Sequence, residues 1–319
     1  MDGLLELSPV AHDFSLSRAA GPVQRTLKSA ICCVGVGLHS GRRVNVTLRP
    51  APAGTGIVFR RMDLGIDILA RFDYVTDTRL CTVVALPHHP EARVGTVEHL
   101  MAALSACGIS NVAVELDGPE VPVLDGSAAP WVFLLDCAGT AEQSAPARVI
   151  EVLRTVRVQD GEAFAELRPG ASASLEMSLS IVFDAAAIGR QALSLAVDGP
   201  VVRHELAEAR TFTLAHEVAG LQAAGLARGG SLDNAVVVDG ARVLNPGGLR
   251  MADEFVRHKM LDAVGDLAMA GAALQGRFVG HRSGHGLNNR VLRALFADGA
   301  NWQEVTPPNW AATPIQQAA

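Results

Sequence analysis

Lysine is almost absent from this sequence, which carries its positive charge mainly on arginine. Lys28 and Lys259 are the only lysines among 27 basic residues, and the 319-residue chain has a formal net charge of −6. This balance argues against a general nucleic-acid binder, because such proteins carry an excess of basic side chains. Keeping lysine at position 259, where arginine is used almost everywhere else, indicates a need for a compact ammonium group.

The sequence also lacks paired cysteines, a secretory signal and a long apolar run. The odd number of cysteines, without a CxxC pair, argues against a disulfide framework and favours reduced thiols. The cysteines are Cys32, Cys33, Cys81, Cys107 and Cys137. The first residues, MDGLLELSPVAHDF, have an early Asp and no basic segment before an apolar run, unlike a signal peptide. No stretch reaches the roughly 18 apolar residues of a spanning helix. We therefore expect a soluble, cytoplasmic protein without stable membrane insertion, with a peripheral position at the inner membrane as the alternative. We also expect a monomer.

The order of predicted elements indicates an α+β fold. The chain is 49% hydrophobic and 19% charged, which suffices to bury a core. Strands are predicted at VNVTL, GIVFRR, CTVVAL, NVAVEL, RVIEVLRTVRVQD, AFAELRP, SLEMSLSIVF and NAVVVDG. Helices are predicted at TVEHLMAALSACG, after LDGSAA, at HEVAGLQAAGL, over 253–270 and over 289–296. Strands precede helices in each half, which predicts helices packed on mainly antiparallel sheets.

A polar, proline-containing stretch, AEQSAPAR (141–148), predicts a domain boundary. We expect an N-terminal extension over 1–21, domain I over 22–144, domain II over 145–305 and a C-terminal tail over 306–319. In domain I, Thr96 is the expected N-cap of the first helix and Gly108 its C-terminal cap.

The segment RHKMLDAVGD places three polar side chains on one helical stripe. His258, Asp262 and Asp266 are four residues apart, opposite an apolar side that can face the core. A solvated helix face is the common explanation of a short His-x3-Asp motif. The alternative is a metal site, because Zn²⁺ accepts His nitrogen and Asp oxygen, and catalytic sites use three protein ligands and water.

The segment TVEHL offers a third ligand with a neighbouring acid. His99 is the best candidate ligand, and Glu98 beside it can act as general base toward a water. The positive end of the helix dipole favours an ionised carboxylate at position 98. Taken alone, the pair also fits an ordinary first-turn Glu and a partly buried His.

Further candidates lie in glycine-rich segments. His285 stands between Gly284 and Gly286, in a loop predicted to precede a helix capped by Asn288 or Asn289. An imidazole with a pKa near 6.5 suits proton donation, although a surface His is the alternative. GVGLHSG, with His39, and GGSLDN permit close backbone approach to a ligand, but neither is a Walker loop or a dinucleotide fingerprint.

These fragments occur together in the order of one family. TVEHLMAAL, EVPVLDGSAAP, EARTFTL, GLARGGSLDNAVVVD, DEFVRHKMLDAVGDL and SGHGLNN resemble the UDP-3-O-(3-hydroxyacyl)-N-acetylglucosamine deacetylases of lipid A synthesis. The resemblance covers roughly residues 22 to 305. It differs at Gly286, where the family often has Ala. The resemblance implies two similar α+β domains that face each other around a zinc site.

The resemblance also implies roles for individual residues. The zinc ligands are His99, His258 and Asp262, with Fe²⁺ as an alternative metal. Glu98 is the general base, and His285 is the general acid that Asp266 orients. Thr211 is a hydroxyl near the developing oxyanion, and Lys259 faces the polar head of an acylated UDP-sugar. The expected substrate and acyl-chain contacts are Leu38, His39, Phe212, Val218, Ala227, Gly230, Ser231 and Leu232.

Two alternatives to this zinc-dependent amide hydrolase remain at the level of sequence. One is a catalytically silent glycolipid-binding relative, which is disfavoured because every ligand and both acid–base residues are present. The other is a hydrolase with the same chemistry on a different N-acyl sugar nucleotide.

Overall fold

The structure, a computed structural model, describes residues 22–172 and 174–305. The predicted N-terminal extension and C-terminal tail therefore lie outside the described residues. Every helix in the described part of the chain is too short or too polar to cross a membrane.

The first part of the chain builds one larger sheet, a small sheet and a strand pair. Its strands are β1 (Val23–Leu27), β2 (Ile31–Val36), β3 (Arg43–Pro50), β4 (Ile57–Arg61), β5 (Ile66–Leu69), β6 (Val75–Asp77), β7 (Val83–Leu86), β8 (His89–Val94), β9 (Val112–Leu116) and β10 (Thr140–Pro146). The larger sheet has the order β2-β3-β9-β4-β5, and only β4 and β9 run parallel in it. β6, β7 and β8 form an antiparallel sheet, while β1 pairs with β10.

The second part builds a sheet around one long central strand. Its strands are β11 (Val149–Val152), β12 (Val156–Asp160), β13 (Ala163–Arg168), β14 (Leu175–Val182), β15 (Arg190–Val197), β16 (Phe212–Leu214), β17 (Val236–Asp239), β18 (Arg242–Val243), β19 (Ala273–His281) and β20 (Trp302–Val305). β19 pairs with β11 and β14 in parallel and with β13 in antiparallel orientation. β16, β17 and β18 form a separate small sheet.

The α-helices of the described residues are α1 (Glu98–Ala106), α2 (Ala129–Ala138), α3 (Gly199–Val201), α4 (Ala215–Ala223), α5 (Glu254–Ala268) and α6 (His285–Phe296). Most strand pairs are antiparallel, so the prediction of a mixed α+β fold with mainly antiparallel sheets is confirmed. The predicted strands and helices are found, most with ends within two or three residues of those expected. All five cysteines lie within the described residues and are unpaired.

The contact between α1 and α5 joins the two parts of the chain and positions the site described below. α5 packs against α1 on one side and against β14 and β15 on another. Gly265 of α5 lies where a Cβ atom would collide with the backbone oxygen of Glu98. Only glycine therefore lets the two helices approach so closely at the start of α1.

The two ends of α1 differ in how well the sequence predicted them. Gly108 has φ +65°, the Gly108 N–H bonds to the Ser105 oxygen, and the Ile109 N–H bonds to the Leu104 oxygen. This Schellman arrangement confirms the predicted glycine cap. The predicted N-cap was wrong, because Val97 occupies the cap position and the Thr96 hydroxyl donates to Glu120 Oε1 instead, at 2.9 Å.

Two other local predictions need correction. α6 begins at His285 with Gly284 as its N-cap, so neither Asn288 nor Asn289 caps it and His285 belongs to the first helical turn. Most of the stretch AEQSAPAR forms β10, whose residues mostly alternate between exposed and half-buried positions and which pairs with β1. The exact domain boundary stays a prediction.

Candidate active site

Three side chains converge where α1 meets α5. His99 Nε2 lies 3.0 Å from His258 Nε2, and Asp262 Oδ1 lies 3.4 Å from the first nitrogen and 3.5 Å from the second. All three residues are buried. The one-turn spacing places His258 and Asp262 together on α5, and the close helix contact at Gly265 brings His99 to them.

The cluster fits a divalent metal ion. Ligands at about 2.0–2.1 Å in a tetrahedral site are separated by roughly 3.3 Å, close to the three separations found here. Asp262 Oδ1 is buried and has no hydrogen-bond donor among the described residues. A buried carboxylate oxygen without a donor is costly unless a cation or another donor satisfies it. These three residues are therefore the candidate metal ligands.

The charge states in the cluster also suit metal binding. Burial lowers the pKa of His258 to about 3, so its imidazole is neutral. Burial alone raises the pKa of Asp262, but His258 and Lys259 outweigh it and hold that pKa well below its ordinary value. Burial by itself lowers the pKa of His99, but the Asp262 carboxylate outweighs burial and raises that pKa above its ordinary value. A cation that binds here competes with the proton that Asp262 favours on His99.

Glu98 is the first residue of α1 and stands beside the cluster. Its carboxylate is buried, and Oε2 accepts a hydrogen bond of 3.0 Å from the Thr82 N–H. Burial raises the pKa of Glu98, while His285 and His99 oppose the shift. A buried carboxylate with a raised pKa is suited to exchange a proton near neutral pH.

His285 faces the cluster from the first turn of α6. Its Nδ1 lies 2.9 Å from Asp266 Oδ2, and its Nε2 lies 4.0 Å from Asp262 Oδ2. Burial by itself lowers the pKa of His285, but the carboxylates of Asp266, Glu98 and Asp262 outweigh burial and raise it to about 9. The imidazole is therefore held as a proton donor whose Nδ1 is fixed by Asp266.

Lys259 contacts the cluster directly. Its Nζ donates to Asp262 Oδ2 at 2.8 Å, and its side chain is one-fifth exposed. The carboxylate of Asp262 thus offers Oδ1 to the ligand cluster and Oδ2 to the ammonium group. The expectation that Lys259 faces a substrate stays a prediction beside this ion pair.

Of the other predicted residues, Phe212 of β16 packs against the cluster, and Thr211 precedes it in the chain. The Phe212 ring centre is 6.0 Å from that of His258, in an edge-on arrangement. Thr211 directly precedes β16, and its backbone bonds to Gly126 O and to the Val236 N–H, both at 2.8 Å. These two bonds hold the Thr211 backbone next to Phe212, whose ring packs against the candidate ligand His258.

The loop GVGLHSG is tied to the site by a carboxylate. Glu120 accepts from the His39 N–H at 2.8 Å, from the Ser40 N–H at 2.7 Å and from the Thr96 hydroxyl. A cavity of about 420 Å³ opens beside this loop. It is lined by His39, Ser40, Asp77, Arg79, Leu80, Cys81, Val83, Arg93, Gly95, Pro119, Glu120, Gly225 and Leu226. His39 and the end of the segment 216–226 therefore line the same cavity.

Among the predicted acyl-chain contacts, Leu38 belongs to this loop and Gly230 lies against it. The Leu38 oxygen accepts from the Gly229 N–H at 3.0 Å, and Gly230 lies beside the Leu38 side chain. Leu232 is 42% exposed, and Ser231 is exposed as well. Val218 and Ala227 are half-buried. A passage for an acyl chain along these residues stays a prediction.

Sequence reasoning missed three polar residues that hold the site together. Glu120 organises the His39 loop, Thr82 bonds to both Glu98 and Asp266, and Asn288 donates to Asp266 Oδ2 at 2.9 Å. Glu120 and Thr82 are single polar residues in apolar stretches. Neither has another polar residue at a spacing that would predict a shared site. The only trace of Glu120 in the sequence is a lone carboxylate ahead of the apolar segment VPVL, which does not indicate its partners.

A mixed α+β fold with a buried His₂Asp cluster, flanked by a carboxylate and an oriented imidazole, has the arrangement of a metal-dependent hydrolase. Residues 24–297 match the family model described as UDP-3-O-acyl N-acetylglycosamine deacetylase. The chain belongs to this family.

Curated relatives agree with the family match over nearly their whole length. UDP-3-O-acyl-N-acetylglucosamine deacetylase of Phenylobacterium zucineum is 51% identical over 283 residues, which are 88% of this chain and 95% of the relative. Proteins of the same name from Acidithiobacillus ferrooxidans and Idiomarina loihiensis are 49% and 48% identical. Those matches cover 88% and 89% of this chain, and 92% of each relative.

Proposed function

We propose that this protein hydrolyses the N-acetyl group of UDP-3-O-(3-hydroxyacyl)-N-acetylglucosamine, releasing acetate and a free amine, as the committed step of lipid A biosynthesis. The observation that carries the proposal is the buried triangle of His99, His258 and Asp262 beside Glu98 and His285. Family membership and the names of the relatives supply the substrate class.

The metal proposed for the three ligands is Zn²⁺, with Fe²⁺ suited to the same donors. When bound, the ion supplies a Lewis acid that polarises the acetyl carbonyl and makes water more acidic. A ligand set of two imidazoles and one carboxylate leaves a coordination position open to substrate and water.

The proton transfers are assigned to two residues of this chain. Glu98 removes a proton from the attacking water, and the Thr211 hydroxyl donates a hydrogen bond to the developing oxyanion. His285 Nε2 then donates a proton to the leaving amine nitrogen, while Asp266 keeps Nδ1 protonated and the ring oriented. Loss of one such oxyanion donor costs about 3–4 kcal/mol in other hydrolases.

The substrate is proposed to lie across the mouth of this site. Lys259 contacts the polar head, and Phe212 and His39 flank the sugar. The acyl chain follows Leu38, Val218, Ala227, Gly230, Ser231 and Leu232. The protein is proposed to act as a cytoplasmic monomer, with the site between domains I and II.

Acetate release together with metal content tests the proposal. The purified protein is assayed on the acylated nucleotide sugar and on UDP-N-acetylglucosamine, before and after chelation. We expect acetate from the acylated substrate, loss of activity with loss of metal, and recovery with added Zn²⁺. Equal rates on both substrates would instead favour a hydrolase of another N-acyl sugar nucleotide, and no acetate from either would favour a silent binding protein.

A further inference from the structure

Thr82 lies between two carboxylates that come from different helices. Its backbone N–H donates to Glu98 Oε2 at 3.0 Å, and its hydroxyl donates to Asp266 Oδ1 at 2.6 Å. The residue is 1% exposed and directly precedes β7. One residue immediately before β7 thus bonds to the first residue of α1 and to the last turn of α5.

The hydroxyl of Thr82 completes the set of donors to Asp266. The other carboxylate oxygen, Oδ2, accepts from His285 Nδ1 and from Asn288 Nδ2, both at 2.9 Å. Donors at Oδ2 alone leave the carboxylate plane able to turn about its Cβ–Cγ bond. A short bond at Oδ1 fixes that plane, and with it the direction from which Oδ2 meets the imidazole.

We propose that Thr82 is a positioning residue for the acid–base pair, with its hydroxyl holding Asp266 against His285 while its N–H holds Glu98. The inference rests on the roles proposed above for Glu98, Asp266 and His285. Thr82 touches neither substrate nor ligand cluster in this assignment, and it acts through the two carboxylates.

In this geometry the side chain at position 82 must supply a hydrogen-bond donor to Asp266 Oδ1. A valine has nearly the shape of threonine but leaves Asp266 Oδ1 buried without this donor. A serine keeps the donor and removes only a methyl group. The two substitutions therefore separate the hydroxyl from packing.

The test compares Thr82→Val and Thr82→Ser with the wild-type holoenzyme. We expect Thr82→Val to lower kcat on the order of tenfold, as for other residues that orient a functional group through a hydrogen bond. KM and metal content should change less than about twofold, because the ligands and the substrate contacts are untouched. Thr82→Ser should return kcat to within about threefold of wild type.

A proton NMR readout separates positioning from general structural damage. The Nδ1 proton of His285 should give a downfield signal, absent from His285→Gln, that Thr82→Val shifts or broadens and Thr82→Ser keeps. Thr26→Val is the matched control, because Thr26 is a buried threonine whose hydroxyl accepts from the Ala51 N–H. It should leave kcat and the signal unchanged.

The outcomes distinguish this inference from the proposed function. Normal kcat in Thr82→Val, or equal loss in the Val and Ser variants, would overturn the role of the hydroxyl. If Thr82→Val does not fold, Thr82→Ala removes the same donor and is compared with Thr82→Ser. Normal kcat in His285→Gln would instead overturn the proposed general acid, whatever Thr82 does.

Discussion

At the scale of single residues, the neighbouring charges suit the buried acidic side chains of the site to different tasks. The pKa of Asp262 is held well below its ordinary value by neighbours that include the Lys259 ammonium group, which suits a ligand. Burial raises the pKa of Glu98, which suits a base. Similar buried carboxylates within one site therefore differ in pKa because their neighbours differ.

The separation of base from ligand predicts how Glu98 and His258 variants differ. Glu98→Gln keeps an oxygen that can accept from the Thr82 N–H, so we expect normal zinc content. We expect activity to fall by about 10²–10⁴-fold, the typical contribution of a general base. Metal analysis and acetate release measure both effects. His258→Ala is the comparison, and it should lose zinc; zinc loss in Glu98→Gln would mean that Glu98 is a ligand.

A second residue-scale prediction concerns pH. His285 must carry a proton to act as acid, so the rate falls as pH rises through its pKa. Asp266 helps to raise that pKa to about 9, and a bound cation acts in the opposite direction. Asp266→Asn removes the negative charge, so the alkaline limb of the kcat profile should move to lower pH. Asp67→Asn, whose carboxylate pairs with Arg60 at the surface, should leave the profile unchanged. An alkaline limb that stays in place in Asp266→Asn would exclude His285 as its source.

At the scale of secondary-structure elements, close packing of α1 on α5 matters more than either helix alone. Gly265→Ala places a Cβ against the backbone oxygen of Glu98, and the helices must separate. We expect a loss of about 1–3 kcal/mol in the free energy of unfolding, together with reduced activity. Chemical denaturation and acetate release measure these effects. Gly220→Ala in α4 has open space around the new methyl group and should be neutral or slightly stabilising. An unchanged stability in Gly265→Ala would contradict the close contact.

The start of α5 depends on a buried ion pair. Glu254 is fully buried and accepts from Arg210 Nε at 2.8 Å and from the backbone N–H groups of Arg210 and Arg250. Arg210→Met leaves this carboxylate without its cation, so we expect a loss of about 3–5 kcal/mol in unfolding free energy. Arg242→Met breaks an exposed pair with Asp239 and should cost less than about 1 kcal/mol. Similar losses in the two variants would argue against a special role of the buried pair.

The sequence predicted the secondary-structure elements better than the tertiary contacts that bury them. Helical spacing placed His258, Asp262 and Asp266 on one stripe, and the stripe exists. Periodicity suggested an exposed face opposite the core, yet all three are buried because α1 and α6 cover that face. A local pattern predicts which residues share one face of a helix. Whether that face is buried depends on elements that are far away in the chain.

Errors at helix ends have a similar physical cause. Asn288 and Asn289 are good N-cap residues, but both are buried inside α6, where Asn288 bonds to Asp266 and Asn289 to the Phe72 oxygen. Tertiary hydrogen bonds therefore outweighed capping preference at this position. Thr82 and Glu120 could not be assigned from sequence, since their partners lie in other elements.

At the scale of the whole molecule, a metal ion would join the two parts of the chain. His99 comes from α1, whereas His258 and Asp262 come from α5, so a bound ion links the helices across their interface. A ligand that binds only the folded state raises its stability, by about 2.7 kcal/mol at a hundredfold excess over Kd. We expect chelation to lower the thermal unfolding midpoint and added Zn²⁺ to restore it. His258→Ala should show no such dependence. An unchanged midpoint in wild-type protein stripped of metal would contradict the link.

The distance along the chain between the ligands also affects how the protein folds. His99 and His258 are separated by 159 residues, so the complete ligand set forms only after a long-range contact is made. Such contacts carry a high loop-closure cost and are slow to form. An ion that needs all three ligands would therefore bind after both helices have docked, and it would slow unfolding without accelerating folding. Newly synthesised chains would then have to complete this helix contact before they could hold such an ion.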